Sequence, residues 1–186
     1  MIKRTNMKKN KGFSMIELLV VLAIASVLIA IMMVSFGNMS SFKLRKSAKV
    51  IGSALSDVQI AAMAKTGQYF ELYYNDAQEV YEVRLQDGKT KTVGEKNASI
   101  SYTTSISSTP VDVKTKPLIL SYYSANGAFT PVIAVINADG TYEYAESNSG
   151  NTYYCKTIEI GYGSGSNKVT KTITLYSKTG KHIIEE

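Results

Sequence analysis

The chain has 186 residues and a formal net charge of +6, with 45% hydrophobic and 19% charged residues. That composition is too apolar for a disordered chain, and the length fits one domain plus an appendage. A single cysteine and a single histidine exclude an internal disulfide, a cysteine-rich zinc site and a multi-histidine metal centre within this chain.

The positive charge is not spread evenly. Lys3, Arg4, Lys8, Lys9 and Lys11 stand in the first twelve residues without an acid, so five of the six net charges belong to a leader. Phe13–Phe36 follows, almost wholly apolar. Its one charge is Glu17, and Leu18–Phe36 are 19 residues without any. A run of that length can cross a hydrocarbon core of ~30 Å. Lysines on its N-terminal side predict Met1–Gly12 in the cytoplasm and the rest outside. An ordinary secretory signal fits poorly, because its apolar core runs only ~7–15 residues and ends at a small-x-small site. A plain single-pass anchor accounts for everything except Glu17. A carboxylate costs ~2.5–3.5 kcal/mol at the centre of a membrane helix and less near its end. Glu17 lies one turn in, where the helix N-terminal dipole offsets part of that cost.

Leu44, Ala48, Ile51, Leu55, Val58 and Ala62 recur at spacings of four and three. They predict one apolar stripe on a helix that continues past the membrane segment. Lys43, Lys46, Lys49, Ser53, Asp57 and Lys65 lie opposite, and Gly67 is placed to end the helix. One helix from Phe13 to Thr66 has 54 residues and a length of ~80 Å. Its first half is apolar all round and its second half on one face only. Gly37-Asn38 is its weakest point.

From Gln68 onward Tyr, Thr, Val and Ile dominate, and all 13 tyrosines lie here. The predicted strands are Gln68–Tyr74, Val80–Leu85, Ile100–Thr104, Leu118–Tyr123, Phe129–Ile136, Thr141–Ala145, Thr157–Tyr162 and Val169–Tyr176, with a short His182–Ile184 segment last. Asn75-Asp76, Asp87-Gly88, Asn126-Gly127 and Asp139-Gly140 read as turns. The fold class expected is α+β.

The string Lys11-Gly12-Phe13-Ser14-Met15-Ile16-Glu17-Leu18-Leu19-Val20-Val21 resembles the class III signal of type IV pilins and pseudopilins. The resemblance implies the pilin fold, one long helix packed on an antiparallel β-rich head. It implies four segments: a leader at 1–12, a transmembrane and filament-core helix at 13–36, its amphipathic continuation at 37–67, and the head at 68–186. Prepilin peptidase would cut between Gly12 and Phe13 and methylate Phe13. Glu17 would neutralise the N-terminal amine of a neighbouring subunit. The implied partners are other pilin subunits, the peptidase, an inner-membrane assembly platform, and membrane lipid before assembly. The location is the cell membrane, single-pass with the N-terminus cytoplasmic, and then an extracellular or periplasmic filament.

Two further segments, Leu120–Phe129 and Thr172–Lys181, look like parts of the head of GspH/FimT-type minor pseudopilins. They point to a minor pilin or pseudopilin of a type IV pilus or a type II secretion-like filament. Some FimT-type pilins bind DNA through a basic patch in the head. Lys168, Lys171, Lys178 and Lys181 are the candidates here, so a competence pilin for DNA uptake is the alternative. Solvated lysines that guard an edge strand are the simpler reading.

No enzyme chemistry stands out. Gly161-Tyr162-Gly163-Ser164-Gly165-Ser166 has the look of a phosphate loop, but a β-pattern follows it and a hairpin loop is expected. No carboxylate pair or calcium-loop spacing appears, and neither a cofactor nor a metal is expected. His182 reads as a solvated terminal residue. Cys155 reads as a buried thiol acting as a small apolar side chain, with a reactive or intermolecular cysteine as the lesser option.

Overall fold

The computed structural model describes residues 14–65, 67–165 and 168–185, with backbone alone for residues 31–38. Among the described residues there is one helix, α1 (Met15–Ala64). Eleven strands follow: β1 (Tyr69–Asn75), β2 (Val80–Leu85), β3 (Thr90–Gly94), β4 (Ala98–Thr104), β5 (Val111–Asp112), β6 (Leu118–Ser121), β7 (Ile133–Ile136), β8 (Tyr142–Tyr144), β9 (Cys155–Tyr162), β10 (Val169–Tyr176) and β11 (Lys181–Ile184). The chain divides into two compact units, Met1–Met39 and Ser40–Glu186.

In the first unit Ser14 and Glu17 close the start of α1 reciprocally. The Glu17 amide donates to Ser14 Oγ at 3.2 Å, and the Ser14 amide donates to Glu17 Oε2 at 3.0 Å. A Ser-x-x-Glu box of this kind satisfies two of the amides that a helix start leaves without partners. From Met15 to Ala30 the side chains are exposed on every side, with only Ala25 partly covered. Such a surface needs lipid or other helices to cover it. No helix of the structure is long and apolar enough to cross a membrane, a statement confined to the described residues. Side chains in this half are described only as far as Ala30, short of the ~20 residues a span requires.

The second unit is built on the remainder of α1. The predicted stripe is fully buried: Leu44, Ala48, Ile51, Leu55, Val58 and Ala62. Ser47 and Ala54 join it. Ser47 Oγ donates to the Val93 carbonyl and lies 3.0 Å from Tyr162 Oη, which satisfies a hydroxyl that would otherwise be costly on this face. Opposite the stripe, Lys43 pairs with Glu95 and Asp57 with Lys91, tying the polar face of α1 to the β-rich part.

Two antiparallel sheets supply the rest of the core. One has the order β3-β2-β1-β6 and the other β11-β10-β9-β4-β5, while β7 and β8 form a separate pair. Alternation sends one face of each strand inward. Phe70 and Leu72 of β1, Leu118 and Leu120 of β6, Ile100 and Tyr102 of β4, Ile158 and Ile160 of β9, and Ile173 and Leu175 of β10 join the helix stripe in one cluster. Every residue of that cluster lies between Leu44 and Leu175, so this unit holds its own core. A long helix on antiparallel sheets is an α+β, pilin-like arrangement.

Most strands stand where the alternation predicts them, within a residue or two. Three differences are physical. The edge strand β3 is polar (Thr90-Lys91-Thr92-Val93-Gly94), and β5 has two residues, so neither carries an apolar pattern. The strand predicted from Phe129 begins only at Ile133, because Pro131 has no amide to donate to a ladder. Phe129 instead bridges Tyr122. The helix is assigned to Ala64, and the predicted end at Thr66 lies outside the described residues.

Candidate functional site

Two places collect the residues singled out by sequence. The first is the start of α1. Gly12 and Phe13, and the leader cations Lys3, Arg4, Lys8, Lys9 and Lys11, lie outside the described residues. Glu17 is described and exposed, and its carboxylate is engaged by the backbone amide of Ser14. Sequence reasoning placed Glu17 in the first turn but overlooked Ser14. The signal was available in the Ser-x-x-Glu spacing immediately before an apolar run. The arrangement holds a carboxylate at the tip of an apolar helix, with one oxygen on a backbone amide and with room for a cationic partner.

The second is the head around the β10–β11 hairpin. Leu120–Phe129 and Thr172–Lys181, distant in sequence, meet here. The Phe129 amide donates to the Ser177 carbonyl at 3.0 Å. Gln59 of α1 donates from Nε2 to the Gly127 carbonyl at 2.8 Å. Gly180, at φ +67°, comes so close that a Cβ on it would lie 1.8 Å from the Gly127 oxygen and 2.6 Å from Gln59 Nε2. Only glycine fits such an approach in the left-handed region. Gln59 was not predicted, since a polar side chain answering a loop carbonyl leaves no periodic trace.

The four lysines do not form one patch. Lys168 stands at the start of β10 and faces Glu159 at 3.8 Å. Lys178 and Lys181 lie in and just beyond the turn at its other end. Eight residues of extended strand separate the two groups by roughly 23 Å at ~3.3 Å per residue. Lys171 shares the face of β10 that carries Ile173 and Leu175.

His182 corrects the expectation of a solvated terminus. It is half-buried in β11, with its ring over Gly52 of α1, where a Cβ on Gly52 would stand 3.4 Å from Nε2. Burial holds its imidazole below the usual histidine range. The absence of a side chain at Gly52 is what lets β11 approach the helix. Cys155 is buried as expected, its Sγ 3.7 Å from the Thr157 carbonyl, and burial pushes its thiol up, away from the reactive thiolate. The glycine-rich stretch after Gly161 joins β9 to β10 as a hairpin loop, as its flanking β-pattern predicts. Among the described residues no group of three His, Cys, Asp or Glu side chains could hold a metal ion.

Residues 7–33 match the family model described as the prokaryotic N-terminal methylation motif. No curated protein and no solved structure matches the chain. The matched segment contains Gly12, Phe13, Ser14 and Glu17, and the pilin-like fold stands behind it. The class defined is therefore a chain with a prepilin-type methylation signal on an α+β, pilin-like body. The head is assigned to no particular branch of that class.

Proposed function

We propose that this chain is a structural subunit of a type IV pilus or type II secretion-like filament, a minor pilin or pseudopilin, and not an enzyme. The observation that carries the reading is the methylation motif over residues 7–33, which runs into the first half of a helix with an exposed apolar surface. The precursor sits in the membrane with its lysine-rich leader in the cytoplasm. Prepilin peptidase cuts after Gly12 and methylates Phe13. The subunit then leaves the lipid for a filament whose core is made of such helices, with the β-rich head outward. Its partners are sister subunits, the peptidase and an inner-membrane assembly platform.

Glu17 has a definite task in this scheme. Cleavage creates an ammonium at Phe13. A free ammonium and a free carboxylate are both costly in an apolar core, and pairing them across subunits offsets the penalty. The carboxylate of Glu17 already accepts one amide and retains acceptor capacity for that ammonium.

The minor-subunit reading rests on the two head segments, Leu120–Phe129 and Thr172–Lys181, which occur in the order expected of GspH/FimT-type heads and meet at Gln59. DNA capture through Lys168, Lys171, Lys178 and Lys181 has less support, since these cations are split between the two ends of β10 and one of them faces a carboxylate. The test of the whole reading is the identity of the mature N-terminus.

A further inference from the structure

A cleft of about 550 Å³ opens at the β4–β5 edge of the five-stranded sheet, between the loop after β4 and the hairpin that precedes β9. Its volume falls within the ~300–1,000 Å³ common to small-molecule sites. We propose that this cleft binds a neutral, hydroxyl-rich saccharide.

The lining points to that chemistry. Tyr153 supplies aromatic surface. Tyrosine presents an apolar face with a polar tip, which suits the C–H faces and hydroxyls of a sugar ring.

The walls supply the rest. Asn148 and Asn151 line the cleft, and their side-chain amides make no intramolecular hydrogen bond among the described residues. An amide offers both donors and acceptors, as a polyol requires. The charged lining residues are Lys116 and Glu146, one of each sign. A cleft with no net charge gives phosphate or sulfate no advantage, which separates this ligand class from nucleic acid.

The walls are also held in place. The hairpin is fixed by the Glu146–Thr152 bridge and by the Ser147 amide, which donates to the Asn151 carbonyl at 2.8 Å. On the other side the Ser105 amide donates to the Tyr154 carbonyl at 2.8 Å, and the Tyr154 amide donates to Ser105 Oγ at 3.1 Å. A site set before binding loses less conformational entropy when the ligand arrives.

The experiment is ligand-observed NMR with the full chain in a zwitterionic, sugar-free detergent. The probes are maltotriose, triacetylchitotriose and lactose, with a heparin disaccharide and an extended Ser/Thr-rich peptide as comparisons. Saturable binding of at least one neutral sugar is expected. Asn148→Ala with Asn151→Ala should weaken it at least tenfold, while the thermal unfolding midpoint stays unchanged. Tyr153→Phe, which keeps the ring, should weaken it less. Failure of all three neutral sugars to bind overturns the proposal. So does binding indifferent to the Asn148/Asn151 change, or binding confined to the heparin disaccharide or the peptide.

Discussion

The side-chain amide of Gln59 and the carbonyl of Gly127, 68 residues apart, share a hydrogen bond of 2.8 Å. That contact fastens the loop after β6 to the helix, and Gly180 seats the β10–β11 turn against the same carbonyl. Three separate pieces of chain converge on one backbone oxygen, so a small change there should be felt widely.

Gly180→Ala meets a fixed backbone oxygen in addition to the ~1–2 kcal/mol that the left-handed conformation costs an L residue. It should destabilise the Ser40–Glu186 unit by about 3 kcal/mol or more. Gly140→Ala is the control: it has a similar φ of +83° but open space around it, and should cost about 1 kcal/mol. Urea unfolding of that unit measures both. Equal costs would show that the Gly127 contact contributes nothing.

Tyr122 is 4% exposed and stacks on Phe129 with ring centroids 4.4 Å apart, and its hydroxyl is buried without a hydrogen-bond partner. Leaving such a group unpaired costs ~1–3 kcal/mol. Tyr122→Phe keeps the ring and removes the unpaired oxygen. It should raise the unfolding free energy by about 1 kcal/mol, read in the same urea experiment; a loss of stability would mean that the hydroxyl is paired.

His182 makes the β11 contact sensitive to pH. Its folded pKa lies below the ordinary 6.5 because burial disfavours the cation. Between the folded and unfolded values the unfolded chain binds more protons, so stability falls as pH falls. Above about pH 7.5 both states are neutral and His182 adds no slope. Unfolding midpoints should therefore drop as pH falls below about 6.5, and His182→Gln should remove that part of the slope. An unchanged slope in the variant would place the titration elsewhere.

Glu17→Ala removes the carboxylate that the assembly scheme requires. The variant should still be cleaved and methylated, since the proposed peptidase site lies at Gly12 and Phe13. It should enter filaments at no more than about a tenth of the wild-type level, measured by immunoblot of sheared surface fibres. Incorporation at the wild-type level would refute the pairing role.

The helix was legible because burial of one face imposes a repeat of three and four, and each of the six predicted stripe residues is buried. The paired strands with alternating Ile, Val and Leu were legible for the same reason. What escaped was set by context. β3 and β5 are held at sheet edges by backbone bonds, with little apolar side chain to betray them. His182 looked solvated because it stands near the end of the chain, yet the missing side chain at Gly52 opens a seat for it. The Ser14–Glu17 box was written in the sequence and overlooked. Gln59 could not have been read, since its partner is a backbone oxygen brought close only by folding.

The most direct measurement is intact-mass and N-terminal sequence analysis of the protein recovered from cells that carry prepilin peptidase. The account predicts a chain that begins at Phe13 with one added methyl group. It also predicts that Gly12→Val accumulates as the uncut form beginning at Met1. A wild-type chain that retains residues 1–12, or one cut beyond the apolar run after Phe36, would contradict it.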